Sequence, residues 1–445
     1  LGFERVKTQT TNSVPVIKLL VVVEPYILTG SARHVLDFCR NARDLQPKFA
    51  NAPRIETSIL TFHREHQSAS STLRGLVRAE KDRSSMWVDE SPNQFVATAR
   101  VEGLEVDVIE ENFRFDWRVI ESLRRIVSQR APDIILTHQV KSHFLMRVSG
   151  LWRKYPWVAF HHGYTTTSRK MHLYNRLDRW SLPSAKRVVA VCHAFARQLE
   201  SVGVPRERIS VVHNSINPDF DVKARESEAI LIRERLKIAP TERVVLAVGR
   251  LSREKAHADL VNAFAHLRRT HPGLNTRLVI VGDGPEMQPL KRRIAELGLT
   301  EHAHLTGHVT NASPYYSLAD VLALPSQSEG SPYVLLEAMA AGLAIVATSV
   351  GGIPEAVEHE KSALLVAPGE PQALAEALAQ VLSDDALAEQ LGRTARATVR
   401  ERHAPESHLR QLIEIYCGLL PNAATRTEDL RPASEMSNDG LVVSP

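Results

Sequence analysis

The sequence predicts an α/β protein with parallel, doubly wound sheets. Three observations carry this. Short, near-continuous apolar runs such as Ile17–Val23 (IKLLVVV) lack in–out alternation, the pattern of strands buried on both faces of a parallel sheet. Between them lie stretches whose apolar residues recur at helical spacing, so strands alternate with helices. A glycine-containing loop, Glu24–Ser31, joins the first strand to the first helix, the doubly wound arrangement. The 445 residues suffice for two domains of ordinary size and a tail.

In the first half, further strands are expected at Ile55–Phe62, Val106–Ile109, Ile134–Thr137, Trp157–Phe160, Val188–Val191 and Ile209–Val212. Val35, Cys39 and Ala42 share one helix face, Val119, Leu123, Ile126 and Val127 another. Phe195, Leu199 and Val202 mark a third helix, closed by Gly203. Residues up to Thr11 are polar and expected to be loose, and residues 63–93 read as a variable loop or acceptor-facing insertion. The loop at Gly30 is not GxGxxG, which disfavours a dehydrogenase-type dinucleotide fold.

Residues 221–240 bridge to the second half, where Val244–Val248, Leu278–Val281, Val321–Leu324, Ala344–Ala347 and Leu364–Val366 read as strands. Helix stripes are Leu260, Phe264 and Leu267; Met287, Leu290, Ile294 and Leu297; Leu374, Leu378 and Val381; Leu387 and Leu391; and Leu409, Leu412, Ile413 and Tyr416. Tyr333–Ala341 has helix-forming composition, and Gly342 is placed to end it. Gly351–Glu355 reads as a loop, and the polar stretch from Ala423 as disordered.

Composition narrows the function. Fifty-five basic against 51 acidic residues leave +4, with pI near 8.9. That does not indicate nucleic acid; a negatively charged substrate or an anionic membrane surface fits equally well. Cys39, Cys192 and Cys417 lie far apart without metal spacing and read as buried thiols of a reducing compartment. The apolar run Val14–Val23 contains Pro15 and Lys18 and is too short to span a bilayer, so it reads as a strand and not a signal peptide. Arg169, Lys170, Arg176, Arg179, Lys186 and Arg187, with Tyr174 and Trp180 among them, form either a lipid-docking surface or a merely solvated face. Zinc spacing, a serine nucleophile elbow and a Walker loop are not evident.

The stretch Leu324–Gly352 is the most informative. A strand breaks at Pro325-Ser326, and a polar loop with Glu329 leads into the helix that carries Glu337. Glu329 lies just outside the helix N-terminus, where unsatisfied N–H groups and the positive dipole end favour an anion such as a diphosphate. Both carboxylates could line one ligand, since carboxylates accept charge-assisted hydrogen bonds from sugar hydroxyls. The bland alternative is a loop charge and a solvated helix residue.

The ordered pattern of Glu329, seven residues, Glu337, then EAMAAGLAIVAT (Glu337–Thr348) and GGIPE (Gly351–Glu355) resembles the retaining glycosyltransferases of the GT-B fold, group 1 type. The resemblance extends over about residues 16–420. It implies two doubly wound Rossmann-like domains facing across a cleft: an acceptor-side domain over 1–220 and a nucleotide-sugar domain over 221–402. A helix over 403–422 would cross back, followed by a disordered tail over 423–445. Gly249–Lys255 (GRLSREK) looks like the family's GRLxxEK, so Arg250 and Lys255 would offset the charge growing on the departing nucleoside diphosphate. By the same resemblance Glu329 binds hydroxyls of the transferred sugar, Glu337 the ribose, and Gly330, Ser331 and Pro332 the helix N-terminus that takes the phosphates. His162 would touch the sugar or β-phosphate, the bland alternative being an ordinary loop histidine. Gly30 and Gly282 would let backbone approach the donor, and the loop at Val309 would meet the base.

Two departures stand out. Ser31 follows Gly30 where the family pairs glycines, and His213–Asn217 (HNSIN) replaces PNGVD at Ser215 and Asn217. The implied activity is metal-independent glycosyl transfer with retention, without a cofactor, from a UDP-, GDP- or ADP-sugar. The implied acceptor is a glycolipid, a lipid-linked sugar or a polysaccharide such as lipopolysaccharide. The protein would be cytoplasmic, with possible peripheral membrane contact and no nucleic-acid or protein partner. A GT-B nucleotide-sugar epimerase and a non-catalytic nucleotide-sugar-binding relative are the alternatives.

Overall fold

A computed structural model describes residues 15–24, 30–49, 52–64, 93–113, 116–164, 169–218 and 226–420. The start of the chain, most of the stretch expected as a variable loop and the tail expected from Ala423 lie outside the described residues. In chain order the first elements are β1 (Val16–Val22), α1 (Gly30–Asp44), β2 (Arg54–His63), α2 (Gln94–Val101), β3 (Glu105–Glu110), α3 (Arg118–Arg130) and β4 (Ile134–Thr137). Then come α4 (Val140–Val148), β5 (Trp157–His161), α5 (Arg169–Ser181), β6 (Arg187–Ala190), α6 (His193–Ser201) and β7 (Ile209–Val211). Their strands order as β3-β2-β1-β4-β5-β6-β7.

The second series runs α7 (Glu226–Arg235), β8 (Arg243–Val248), α8 (His257–Thr270), β9 (Thr276–Val281), α9 (Met287–Glu296), β10 (Ala303–Leu305), α10 (Ser313–Leu318) and β11 (Val321–Leu324). It continues with α11 (Tyr333–Ala341), β12 (Ala344–Thr348), α12 (Ile353–Ala356), β13 (Leu364–Val366), α13 (Pro371–Ser383), α14 (Asp385–Arg402) and α15 (Pro405–Cys417). This sheet orders as β10-β9-β8-β11-β12-β13, with every described pairing parallel.

The chain winds from β8 outward through β9 and β10, then restarts beside β8 with β11 and winds the other way. The reversal lies between β8 and β11, where Val321 pairs with Val245 and Leu322 with Leu246. In open parallel sheets this switch point opens a crevice at the carboxyl ends of the strands. Here those ends run into Gly249–Lys255 and Pro325–Pro332, so the two most informative sequence motifs meet at one place.

Successive strand residues face opposite sides, and the core divides accordingly. Val245, Ala247, Leu278, Ile280, Val321 and Ala323 pack with Leu260, Phe264 and Leu267 of α8 and Leu374 and Leu378 of α13. Val244, Leu246, Val279, Leu322 and Ile345 pack with Leu335, Leu336 and Met339 of α11. Strands with both faces covered must be apolar throughout, which is why the sequence showed runs and not alternation.

The chain divides into two compact units, Leu1–Val158 with Leu409–Pro445, and Ala159–His408. Within the first, the α15 residues Leu409, Leu412, Ile413 and Tyr416 are fully buried, and the Tyr416 ring meets Phe38 of α1 edge-on at 6.3 Å. One expectation is corrected: Gly351–Glu355, read as a loop, runs into α12 at Ile353. The bridge at 221–240 carries a helix, α7, that the sequence analysis did not foresee. α7 escaped notice because only Ala229 and Ile232 of its apolar residues turn to the core, while Ile230 and Leu231 between them are exposed and blur the helical period. α12 is only four residues long, too short for periodicity to register.

Within the second unit, His403 sits in the break between α14 and α15 and ties it to the segment after β7. Its Nδ1–H donates to the carbonyl of Asn214 at 3.1 Å, and its own carbonyl accepts from Ile216 N at 3.0 Å. Burial above all pushes the imidazole down to about 4, with the charges of His213 and Arg402 adding to it. The ring is therefore neutral in the fold, while in the unfolded chain it takes up a proton near pH 6.5. Its contribution to stability is full above that pH and is lost as pH falls toward 4, at up to about 1.4 kcal/mol per pH unit. Denaturant titrations between pH 7 and 4 should show His403→Gln, which cannot take up the proton, with a shallower loss than wild type.

Candidate functional site

The site is built from the loops that follow β8, β9, β11 and β12. Beyond β8 the chain passes Gly249 and Arg250 and forms one turn of 3-10 helix, Arg253–Lys255. Ala256 closes that turn in the left-handed region at φ 49° and hands over to α8. The end of β9 presses on the same loop: a Cβ at Gly282 would stand 1.9 Å from the Gly249 carbonyl oxygen. Leu251 N donates to the Asp283 carbonyl at 3.0 Å. So held, Lys255 extends its ammonium to Glu329, with Nζ 2.6 Å from Oε1.

Glu329 is 7% exposed, and a carboxylate so buried demands compensation. A second donor reaches the same oxygen: Ser326 Oγ, also at 2.6 Å. The loop backbone is fixed as well. Gln327 N donates to the Glu254 carbonyl at 2.8 Å, and Gly352 N to the Glu329 carbonyl at 3.2 Å.

Glu337 is buried in the middle of α11, which excludes the solvated-face alternative. Its Oε2 accepts from the Tyr316 hydroxyl of α10 at 2.6 Å. The two carboxylates thus take different partners. Gly342 ends α11 as expected, in the left-handed conformation at φ 71°. At the other end Pro332 is the N-cap residue, without an N–H of its own, and its carbonyl accepts from Leu335 N at 3.1 Å.

Ser331 is locked from behind by Asn214, whose N donates to Ser331 Oγ at 3.1 Å and whose Nδ2 donates to the Ser331 carbonyl at 2.6 Å. Ser215, which replaces glycine in the HNSIN segment, is buried with an ordinary negative φ, so this turn does not use the left-handed region. The strand β5 ends at the buried His161, and the half-buried His162 follows it. A Cβ at Gly163 would lie 2.5 Å from Cε2 of Phe195 in α6, and one at Gly330 would lie 2.7 Å from the same atom. One aromatic ring therefore brings the loops of His162 and Glu329 together. Phe195 is oriented by α6, whose N-terminal N–H groups are capped across sequence by Glu355: His193 N donates to Oε2 at 2.9 Å and Ala194 N to Oε1 at 3.2 Å.

Of the other expected site residues, Arg250 is exposed beside this cluster in sequence, and the Val309 loop is tied to β9 through Gly282 N donating to the Gly307 carbonyl at 3.0 Å. Gly30 opens α1 in the first unit and is exposed. Sequence reasoning did not single out Ser326, Tyr316, Asn214 or Glu355. Asn214 and Glu355 lie in the HNSIN and GGIPE segments, so motif position was a signal; Ser326 and Tyr316 offered none. Among the described residues, no group of three His, Cys, Asp or Glu side chains is arranged to hold a metal ion.

Gly351 is where this packing is least forgiving. It lies at φ 55°, and a Cβ there would fall 1.8 Å from the Glu329 carbonyl oxygen. Gly351→Ala should lower stability by about 1–3 kcal/mol, as overpacking of a filled site does. Gly273→Ala, which adds a methyl to open space, should stay within about 0.5 kcal/mol of wild type in the same denaturant titration.

Comparison with known proteins agrees with this architecture. Residues 229–398 match the family described as Glycosyl transferases group 1, and residues 59–220 match Glycosyltransferase Family 4. An uncharacterized glycosyltransferase of Methanocaldococcus jannaschii is 28% identical over 297 residues, 64% of this chain and 75% of that protein. A D-inositol 3-phosphate glycosyltransferase of Nocardia farcinica is 36% identical over 217 residues, 46% of this chain and 47% of its own length. Among solved structures, Anabaena HepE in complex with UDP superposes with a TM-score of 0.71 at 19% identity, covering 90% of this chain and 100% of that one. The two family matches and the two parallel α/β sheets support a glycosyltransferase of the GT-B type.

Proposed function

We propose that the protein transfers a sugar from a nucleotide-sugar donor to a sugar-bearing or lipid-linked acceptor, with retention of anomeric configuration and without a metal. The observation that carries this reading is the buried Glu329 carboxylate, paired with Lys255 and set one short loop ahead of the α11 N-terminus. It combines an acceptor for sugar hydroxyls with the positive charge a diphosphate needs. Lys255 uses one of its three N–H bonds on Glu329, which leaves two for phosphate oxygens. Arg250 adds a second cation, and the first turn of α11 adds backbone donors. Glu337 takes the ribose hydroxyls, His162 the sugar or β-phosphate, and the backbone near Val309 the base. Gly30, Gly282, Gly330, Ser331 and Pro332 shape the approach of the donor.

In the reaction so read, the acceptor hydroxyl oxygen bonds to the anomeric carbon on the face from which the diphosphate departs. The bond from that carbon to the β-phosphate oxygen breaks, and the acceptor's proton passes to the phosphate. Arg250, Lys255 and the helix N-terminus stabilise the charge on the leaving group, where preorganised electrostatics contributes most. UDP-sugars are the first donors to test, because UDP and UDP-glucose are the ligands named for the similar Anabaena HepE.

The acceptor-side reading includes cytoplasmic residence and contact with an anionic lipid surface. It draws support from α5, where Leu173 and Trp180 are exposed alongside Arg176 and Arg179. No helix among the described residues is long and apolar enough to cross a membrane.

Release of nucleoside diphosphate from a panel of UDP-, GDP- and ADP-sugars tests the assignment. Glu329→Ala and Arg250→Ala should each slow release at least about 100-fold; wild-type turnover in either would refute the site. With the same donor, EDTA should leave the rate unchanged, and its abolition by chelation would overturn the metal-free reading.

A further inference from the structure

We propose that Ser326 is a positioning residue of this site, holding Glu329 so that Oε2 alone is presented to the sugar. The inference rests on the donor-site reading above and adds to it which oxygen works and what fixes it. Both internal donors converge on one atom: Ser326 Oγ and Lys255 Nζ each lie 2.6 Å from Oε1. An ionised carboxylate has about two lone-pair positions on each oxygen, so Oε1 is filled while Oε2 keeps its capacity for at most about two hydroxyl donors.

Ser326 can impose this because it is itself immobile. It is fully buried two residues past β11, and its carbonyl accepts from Thr348 Oγ1 at the end of β12. The chain of contacts runs from the rigid sheet through Thr348 and Ser326 to the carboxylate. Lys255 could not do the same alone. Its long side chain is flexible and serves the diphosphate as well, so a carboxylate held only by Lys255 would turn when the diphosphate arrives or leaves.

The test compares wild type, Ser326→Ala, Glu329→Gln and the double variant. It reads equilibrium binding of UDP, GDP and ADP, binding of the corresponding nucleotide sugars, and kcat for nucleoside diphosphate release. Thermal melting checks that each variant is folded. Ser326→Ala should bind the nucleoside diphosphate within about twofold of wild type, yet bind the nucleotide sugar and turn it over at least about tenfold less well, the size expected for a hydrogen bond to a charged group. In the Glu329→Gln background the same change should cost less than about twofold, because its route of action is already gone.

Three results would overturn the proposal: unchanged sugar binding and kcat in Ser326→Ala, an equal loss for diphosphate and nucleotide sugar, or a tenfold loss that persists beside Glu329→Gln. Failure of the wild-type protein to bind any nucleotide sugar would instead overturn the donor-site reading and this inference with it.

Discussion

A carboxylate buried in the loop between β11 and α11 sets the terms for everything around it. Removing an ion of this kind from water costs several kcal/mol even after relaxation, and Glu329 is 7% exposed. The cost is offset only if donors arrive with good geometry, so the surrounding loops have little freedom. Lys255 must be delivered by a tight turn after β8, and Ser326 must stay where β11 ends. The loop after β12 must come close enough for Gly352 N to reach the Glu329 carbonyl. Backbone lies directly on backbone there, which leaves no space for a side chain at Gly351.

Sheet topology makes these demands compatible. β8 and β11 are neighbours in the sheet, yet Lys255 and Glu329 in the loops that follow them are 74 residues apart, because those loops come from opposite windings. A single winding would send every such loop the same way; reversal at the switch point opens the crevice where both can converge. The buried strands give the loops a rigid base, so charge and hydrogen-bond donors are oriented before any ligand arrives.

A second ring of contacts within the same unit supports the first. Asn214 fastens Ser331, His403 fastens Asn214, and Glu355 fastens the start of α6, whose Phe195 packs on both Gly163 and Gly330. None of these side chains needs to touch a ligand to matter. Each restricts a loop that carries a proposed binding residue, and each does so from a distant point in sequence. Glu355 fits its place for a further reason: a carboxylate at a helix N-terminus satisfies orphan N–H groups and meets the positive end of the helix dipole.

The sequence by itself determined the fold class, nearly every strand of four or more residues, and the motifs whose loops meet at the switch point. Those features rest on local information: apolar runs for strands buried on two faces, helical spacing for one-sided burial, and glycine where φ is positive, as at Gly342. It did not disclose β10 or α12, which are too short to carry a period, nor α7, whose core-facing Ala229 and Ile232 are interrupted by the exposed Ile230 and Leu231, and it also passed over α2, α4, α5 and α10. Only the tertiary structure decided what each carboxylate meets. Glu329 and Glu337 are alike in sequence and close in the chain, yet one joins Lys255 and Ser326 and the other Tyr316. Hydrogen-bond partners 21 and 74 residues away are chosen by strand order and helix packing, and no local pattern encodes them.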